Sequence, residues 1–250
     1  MMHPNHAYLV AAAARLEVSG PVLDYGCGDG HVVEAAVAQG VDAFGVESFY
    51  GGAHGDRERV AERGLLDHRV RELDGTHIPF EDGRFGLVVH NQVFEHVEQL
   101  EPTLLELRRV LRPGGTMLSM FPSREVVREG HCGVPLAHRF ADGSSARHRY
   151  LVAMRRLGLG TNTERRSAHE WATGFDEFLD RWCHYRSRSE LRRTYAAAGF
   201  SWEHHEDDFA AFRLDYSGRD YLVPLTRVSP RIVRVLVRAL VTMVVVSHRS

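Results

Sequence analysis

Apolar strand segments and helical segments alternate, with short connections, from residue 22 to residue 121. The predicted strands are residues 22–25, 42–47, 70–73, 85–91 and 116–121. The fourth of them, FGLVVHN, is apolar along nearly its whole length, which is typical of a strand covered on both faces. Strands that alternate with helices in this way form a parallel sheet with helices on both sides. The chain is therefore predicted to be an α/β protein with a doubly wound sheet.

The first strand and the first helix after it are joined by a loop with glycine at alternate positions, in the stretch VLDYGCGDGHVVEAAVAQG of residues 22–40. Alternate glycines let the chain turn sharply, and they let a ligand lie against the backbone where a Cβ would collide. Nicotinamide and flavin enzymes hold a diphosphate with a similar loop at a helix N-terminus. Here the strand ends with Asp24, whose negative charge would repel a diphosphate and attract a cationic or zwitterionic ligand.

Four stretches within residues 20–122 together resemble the class I S-adenosylmethionine-dependent methyltransferases, in particular the type 11-like group with small-molecule acceptors. The stretches are VLDYGCGDG, GVE ending at Glu47, DGTHIPFEDGRFGLVVHNQVFEHV and LRRVLRPGGTMLSMFP. Their order and spacing match that family through four successive strand ends. The resemblance implies a Rossmann-like, doubly wound, mostly parallel sheet of seven strands. It also implies S-adenosylmethionine (SAM) as the cofactor.

The same resemblance implies which residues hold SAM. Glu47 would accept both ribose hydroxyls, because a carboxylate offers acceptors and no donor. Asp74 would accept the adenine amino group, and Gly75 would expose its backbone to the ring. Asp24 and the glycine loop would hold the methionine part, with Asn91 close to the sulfonium. The predicted cofactor-binding set is Asp24, Gly26, Cys27, Gly28, Gly30, Glu47, Ser48, Asp74, Gly75, Asn91 and Gln92.

The alternation breaks after the fifth strand, in a segment rich in arginine, histidine and aromatic residues. We interpret it as a largely helical lid inserted over the strand ends, because so long an interruption is more often a lid than a linker. Residues 201–216 are expected to supply the last strands. The predicted organisation is a SAM-binding core at 1–122, the lid at 123–186, completion of the core sheet at 187–228, and a basic amphipathic segment at 229–250.

Methyl transfer from a sulfonium needs chiefly in-line placement of the nucleophile, since the methyl carbon is already a strong electrophile. A hydroxyl acceptor also needs a base, which is usually a histidine. The predicted catalytic candidates are His96 after the fourth strand, and His131 and His138 in the lid. His96 has an alternative role in orienting the cofactor side of the pocket or capping a helix. The residues predicted to orient the acceptor are Arg124, Arg139, His148 and Tyr150.

These observations predict O-methylation of a small molecule such as a sugar, a glycolipid or a secondary metabolite. C-methylation of a quinone or lipid-like acceptor, SAM binding without catalysis, and a dehydrogenase are the alternatives. A nucleic-acid substrate is not expected, because HNQVFEH lacks the prolines that follow the fourth strand in enzymes that methylate base amino groups. No metal is predicted, since neither His131, Cys132 and His138 nor the run 203–208 has the paired spacing of a structural zinc site.

The chain is predicted to be cytoplasmic. Its three cysteines are scattered, and MMHPNHAYLV lacks the charged and apolar regions of a signal peptide. Near the end, RIVRVLVRALVTMVVV places Arg231, Arg234 and Arg238 on one face of a helix and is shorter than the roughly 20 apolar residues that span a bilayer. This pattern predicts a basic amphipathic helix that lies in the inner membrane interface. The alternative is a helix or strand that packs on the domain or against a second subunit. The oligomeric state is not predicted.

Overall fold

Five parallel strands form the centre of the chain in its computed structural model, which describes residues 2–15, 20–49, 55–163 and 166–249. The strands are β1 (Val22–Tyr25), β2 (Ala43–Glu47), β3 (Val70–Glu72), β4 (Phe85–Asn91), β5 (Leu111–Phe121), β6 (Glu203–His204) and β7 (Met243–His248). They form one seven-stranded sheet in the order β3-β2-β1-β4-β5-β7-β6. β7 runs antiparallel to both of its neighbours. The predicted doubly wound, mostly parallel sheet of seven strands is confirmed.

Helices cover both faces of this sheet. They are α1 (Pro4–Arg15), α2 (His31–Ala38), α3 (Asp56–Glu62), α4 (Leu100–Val110), α5 (Ser145–Arg156), α6 (Ala168–Trp182), α7 (Arg188–Ala197), α8 (Glu206–Tyr216), α9 (Val223–Val228) and α10 (Pro230–Leu240). On one face, α1, α2, α3 and α8 bury residues such as Leu9, Val33 and Phe209 against the strands. On the other face, α4 and α7 bury Leu104 and Tyr195. Each strand of the centre is therefore enclosed, which explains its apolar sequence.

The strand order reverses beside β1. From β1 the chain moves outward through β2 to β3, and it then returns to place β4 on the other side of β1. In a sheet of this kind the crossover connections leave in opposite directions, so a crevice opens at the carboxyl ends of the two strands that flank the reversal. The ends of β1, β2 and β4 therefore mark where a ligand can enter.

The segment between β5 and α7 has a small core of its own. Its helices α5 and α6 pack together around Trp171, Leu151 and Leu179, all of which are buried. Arg147, also buried, pairs with the carboxylates of Asp176 and Asp180 on α6. A stretch without long helices, residues 122–144, precedes α5 and contains a short 3₁₀ turn. The lid of the sequence analysis is thus a two-helix unit joined to an irregular loop.

The last part of the sheet forms differently from the expectation. Within residues 201–216 only Glu203–His204 is a strand, and the remainder is α8, whose first turn carries three acidic residues that suit the positive end of a helix dipole. The strand that completes the sheet beside β5 is β7, inside the segment predicted as amphipathic. The run MVVVSH has no charge and buries its first three residues, so it fits between two strands, whereas the arginines at helical spacing end with α10.

Candidate functional site

A cavity of about 840 Å³ opens at the carboxyl ends of β1, β2 and β4. One wall consists of the glycine loop and the strand ends. Another consists of the turn after β4 together with Trp182 at the end of α6, and α1 contributes His6 and Leu9. The cavity thus lies where the reversal of strand order predicts it, between the core sheet, the leading helix and the lid.

The glycine loop lies against the turn that follows β4. Gly26 has φ +72°, in the left-handed region, and a Cβ there would come within 2.5 Å of Val93 Cγ2. Gly28 has φ +54° and donates its N–H to Glu47 Oε2 at 2.8 Å. Glycine at position 26 is therefore required by the close approach of Val93 as well as by the backbone conformation.

The carboxylate of Glu47 is held in one orientation at the end of β2. Its Oε2 accepts the Gly28 N–H, and its Oε1 accepts the backbone N–H of Ser48 at 2.8 Å. Oε1 also accepts the Ser48 hydroxyl at 3.2 Å, so Oε2 has a lone pair available to the cavity, and Oε1 would accept a ligand hydroxyl in place of that of Ser48. A ligand with two neighbouring hydroxyl groups matches this arrangement.

Asp24 places a buried carboxyl group in the same wall. The side chain is 5% exposed, and burial, together with the nearby charges of Glu47 and Asp29, raises its pKa to about 8. A carboxyl group in this environment resists ionisation because no cation offsets the negative charge. A positively charged ligand in the cavity would provide that cation.

Most of the predicted cofactor-binding residues meet in this cavity. Those that line it are Asp24, Gly26, Cys27, Gly28, Glu47, Ser48, Gly75, Asn91 and Gln92. Gly30 does not line the cavity and instead begins α2 with φ +78°. Asp74 is exposed and also lies outside the lining, although its neighbours Gly75 and Thr76 belong to it. The adenine contact predicted for Asp74 therefore involves a residue that this structure leaves at the surface.

His96 is the one of the three predicted catalytic histidines that lines the cavity. Its Nδ1 donates to the carbonyl oxygen of Trp182 at 2.6 Å, and its Nε2 lies 3.2 Å from Nε2 of His131. Burial lowers the pKa of His96, so the ring is neutral at pH 7. Arg186 holds the surrounding turn by donating to the carbonyl oxygen of Val97 at 2.7 Å.

His131 and His138 do not line this cavity. His131 lies behind His96, and its Nδ1 contacts the buried carboxylate of Glu129 at 2.6 Å. His138 lines a separate cavity of about 240 Å³ inside the lid, and its Nε2 donates to the carbonyl oxygen of Arg124 at 3.0 Å. The structure thus does not bring either histidine to the main cavity, because the lid folds around its own core.

The residues predicted to orient the acceptor also lie outside the lining of the main cavity. Arg124 lines the smaller cavity, and Arg139 donates to the carbonyl oxygen of Glu125 at 2.9 Å. His148 pairs with a carboxylate of α6, and the Tyr150 hydroxyl donates to a backbone carbonyl at 2.8 Å. The side chains of Arg139, His148 and Tyr150 hold the loop and helices of the lid together, and none of the four residues lines the main cavity.

Sequence reasoning missed the contribution of α1. Asn5 is buried and donates from Nδ2 to Asn91 Oδ1 at 2.9 Å, which attaches α1 to the end of β4. His6 lines the cavity, and within the described residues no protein group hydrogen-bonds its ring nitrogens. Burial, with smaller effects from His3 and His31, lowers the pKa of His6. No motif in MMHPNH signals this position, because only the packing of α1 over the strand ends creates it.

Residues 3–205 match the family model described as a methyltransferase domain. The chain is 31% identical over 109 residues to sterol 4-C-methyltransferase strm-1 of Caenorhabditis elegans, a match covering 42% of this chain and 33% of that protein. It is 27% identical over 94 residues to the ubiquinone biosynthesis O-methyltransferase of Pectobacterium carotovorum, covering 38% of this chain and 39% of that protein. These matches span only a third to two fifths of the length of the curated relatives.

The fold is similar over 98% of this chain to geranyl diphosphate C-methyltransferase from Streptomyces coelicolor A3(2). That structure contains Mg²⁺, geranyl-S-thiolodiphosphate and S-adenosyl-L-homocysteine. The TM-score is 0.53 at 16% sequence identity, and the match covers 75% of the other chain. With the family model matching more than half of its length, the chain belongs to the class I SAM-dependent methyltransferases, and its cofactor is SAM.

Proposed function

We propose that this methyltransferase transfers the methyl group of SAM to a hydroxyl oxygen of a small-molecule acceptor, such as a sugar, a glycolipid or a secondary metabolite. The observation that carries the proposal is the position of His6 in the same cavity as Asp24 and Glu47, where burial lowers its pKa and no protein group of the described residues hydrogen-bonds its ring nitrogens. A hydroxyl is hard to ionise at neutral pH, so its methylation requires a nearby base. An acceptor that already carries a lone pair on nitrogen or sulfur would need none.

His6 is suited to that role by its position. Asn5 attaches α1 to Asn91, the last residue of β4. The resemblance places the sulfonium close to Asn91. As the acceptor oxygen forms its bond to the methyl carbon, the carbon–sulfur bond breaks, S-adenosylhomocysteine (SAH) leaves, and the hydroxyl proton passes to His6. His96 is less suited, because its two ring nitrogens already contact Trp182 and His131. His31 lies at the start of α2, on the glycine-loop side.

The size of the cavity supports a small acceptor. Small-molecule sites measure about 300–1,000 Å³, and the present cavity of about 840 Å³ lies in the upper part of that range. Such a space holds the cofactor together with a small second molecule. The polar side chains near His6 and Asn91 suit an acceptor that bears hydroxyl groups.

The proposal is tested by supplying purified protein and SAM with separate sets of phenols, sugars, hydroxylated lipids and quinones. We expect SAH to form with a hydroxyl-bearing set, and mass spectrometry with NMR of the product to place the new methyl group on oxygen. A methyl group on carbon would favour the alternative of quinone or lipid-like C-methylation. SAH binding without turnover in any set would favour a non-catalytic SAM-binding protein.

The pKa of Asp24 makes cofactor binding depend on pH. In the free protein the pKa is about 8, so at pH 7 the carboxyl group is mostly protonated, whereas cationic SAM favours the carboxylate. Binding at pH 7 should therefore release a proton, and the affinity should rise with pH by up to about tenfold per unit until pH 8. The raised pKa also affects the stability of the free protein. Because the folded protein holds this proton more tightly than the unfolded chain, the free energy of unfolding should fall as the pH rises from about 4 to about 8.

Isothermal titration in buffers of different ionisation enthalpy measures this proton release directly. We expect it in the wild-type protein at pH 7 and not in Asp24→Asn. Asp42→Asn, which changes an exposed aspartate before β2, is the matched control and should release the same proton as wild type. An affinity for SAM that does not change between pH 6 and pH 8 would contradict the assignment.

We further propose that the protein is cytoplasmic and touches the anionic inner membrane surface through α10. Arg234 and Arg238, two of the three arginines predicted on one helical face, face inward and contact Asp207 and His204. The outward face is apolar instead. Ile232, Val235, Leu236 and Leu240 on this face are each more than half exposed. Exposed Arg227 and Arg231 lie beside them and would attract anionic headgroups.

Flotation with phosphatidylcholine vesicles, with and without phosphatidylglycerol, tests this contact. We expect binding to the anionic vesicles and its loss in the double variant Ile232→Ser, Leu236→Ser, while Leu157→Ser, at an exposed lid position, binds as wild type. Deleting residues 229–250 is unsuitable, because it removes β7 from the sheet. Equal flotation of both variants, or a dimer that only the double variant dissociates, would contradict the membrane contact. No helix within the described residues is long and apolar enough to cross a bilayer.

A further inference from the structure

Three side chains with metal-binding atoms meet where the lid contacts the turn after β4. They are His96 from that turn, His131 from the loop that precedes α5, and Cys183 at the end of α6. Their nitrogen and sulfur atoms all lie within 4.8 Å of one another. The residues lie up to 87 positions apart in the chain, so no local spacing could have indicated the cluster.

The two histidines are oriented so that their Nε2 atoms face each other. His131 Nδ1 contacts the carboxylate of Glu129 at 2.6 Å, and His96 Nδ1 contacts the carbonyl oxygen of Trp182 at 2.6 Å. Both of these oxygens are acceptors, so each Nδ1 carries its hydrogen. In two neutral rings the Nε2 atoms, 3.2 Å apart, would then oppose lone pair to lone pair. A metal ion between them, or a proton on one of them, removes that repulsion.

This arrangement has the features of a metal site. Histidines that bind metals donate the other ring N–H to a carboxylate or a carbonyl group, which orients the ring. Two zinc–nitrogen bonds of 2.0–2.1 Å at a tetrahedral angle place the nitrogens about 3.3 Å apart. The observed separation of 3.2 Å agrees with that value. Cys183 Sγ lies 3.9 Å from Nδ1 of His131, the nitrogen that faces Glu129, and the donor atoms of the three residues lie within 4.8 Å of one another. The thiol must therefore move toward the two Nε2 atoms to complete the set.

We propose that His96, His131 and Cys183 bind a divalent transition-metal ion of the zinc type. Two imidazoles and a thiolate suit zinc or cobalt, whereas magnesium prefers oxygen ligands. As the metal–sulfur bond forms, Cys183 gives its proton to solvent, and a water takes the fourth position. The site differs from the prediction of no metal, which depended on the spacing of neighbouring ligands along the chain.

The buried charges around the cluster favour a cation. Glu129 is fully buried and, besides His131, accepts hydrogen bonds from the Tyr185 hydroxyl and the Cys132 N–H, both at 2.6 Å. Glu95 is 1% exposed, and within the described residues neither of its carboxylate oxygens has a hydrogen-bond partner. Buried carboxyl groups without a partner are costly, and a nearby dication offsets that cost. The ion would join the lid to the core beside the main cavity, because His96 lines that cavity and is also one of the three proposed ligands.

Cobalt(II) is a suitable probe, since tetrahedral cobalt absorbs visible light and a cobalt–thiolate bond adds a near-ultraviolet band. Tag-free protein, first treated with a chelator, is titrated with Co²⁺ alone. We expect one equivalent to bind with both spectral features. Cys183→Ser should lose the thiolate band, and His131→Gln should bind at least about tenfold more weakly. Zinc added afterwards should displace the cobalt and abolish the colour.

Matched variants separate the site from its surroundings. Cys132→Ser changes the buried cysteine next to His131, and His184→Gln changes the histidine next to Cys183; both should bind cobalt as wild type. Glu129→Gln leaves all three ligands in place and should weaken binding, which keeps the test valid if Cys183→Ser does not fold. Two results would overturn the proposal: no tetrahedral cobalt spectrum at micromolar metal, as expected if the histidines share a proton, or equal binding by wild type, Cys183→Ser and His131→Gln.

Discussion

Replacing Glu47 by glutamine should weaken SAH binding by about tenfold to a hundredfold. The two carboxylate oxygens already accept the N–H groups of Gly28 and Ser48, so an amide NH₂ at either place would oppose a donor with a donor and disturb the orientation of the side chain. The side chain would also lose one of the acceptors predicted for the ribose hydroxyls. A hydrogen bond to a charged group contributes about 1.5–3 kcal/mol, so this loss corresponds to an affinity about tenfold to a hundredfold lower.

Isothermal titration with SAH measures this effect, and Glu72→Gln provides the control. Glu72 is the residue paired with Glu47 in the register of β2 and β3, but its carboxylate is exposed, contacts Arg57 and lies outside the cavity lining. We expect the control to bind SAH as wild type. If Glu47→Gln binds within threefold of wild type, the ribose assignment is wrong. If the double variant with Asp24→Ala and Glu47→Ala still binds SAH, the cofactor site lies elsewhere.

Replacing His6 by glutamine should lower kcat by about 10²–10⁴, the usual contribution of a general base, while the affinity for SAH changes little. Glutamine keeps the polar character of the side chain but cannot take a proton at neutral pH. Burial holds the pKa of His6 below 6.5, so the wild-type kcat should fall as the pH drops through that region and be level above pH 7. In His6→Gln this fall of kcat at low pH, the acidic limb of the profile, should be absent.

His3→Gln is the matched control for this prediction. His3 precedes α1, and its ring lies 5.7 Å from that of His6, but it does not line the cavity. Its kcat above pH 7 should equal that of wild type, and its acidic limb should persist, shifted only by the loss of the small effect of His3 on the pKa of His6. A wild-type rate in His6→Gln, with the acidic limb intact, would rule out His6 as the base. Loss of rate without loss of the limb would indicate that His6 only positions the acceptor.

The strand ends were predictable because the information about them is local. Asp24, Glu47 and Asn91 each lie at or next to the carboxyl end of an apolar strand, and the carboxyl ends of parallel strands meet at one edge of a sheet. Once the alternation of strands and helices was recognised, their convergence followed without knowledge of side-chain contacts. Asp74 differs because it lies in an irregular turn after β3, where the position of a side chain depends on the turn and not on a strand.

The lid could not be predicted in the same way. Its arginines and histidines were expected to face an acceptor, since polar and aromatic residues near strand ends often do. Instead His148 and Tyr150 bind groups of the lid itself, because a unit with its own buried core must satisfy its own polar atoms. The sequence of α10 indicated an amphipathic helix, but it did not indicate which face turns inward. That choice depends on Asp207, which lies on α8.

By itself the sequence determined the elements up to residue 121, their order, the parallel part of the sheet and the cofactor end of the site. Each of these follows from residues that are neighbours along one strand, one helix or one glycine loop. Only the tertiary structure decided that α1 brings His6 to the cavity, that His96, His131 and Cys183 meet, and that β7 completes the sheet. These are contacts between segments far apart in the chain, and they depend on how whole elements pack, which no local pattern specifies.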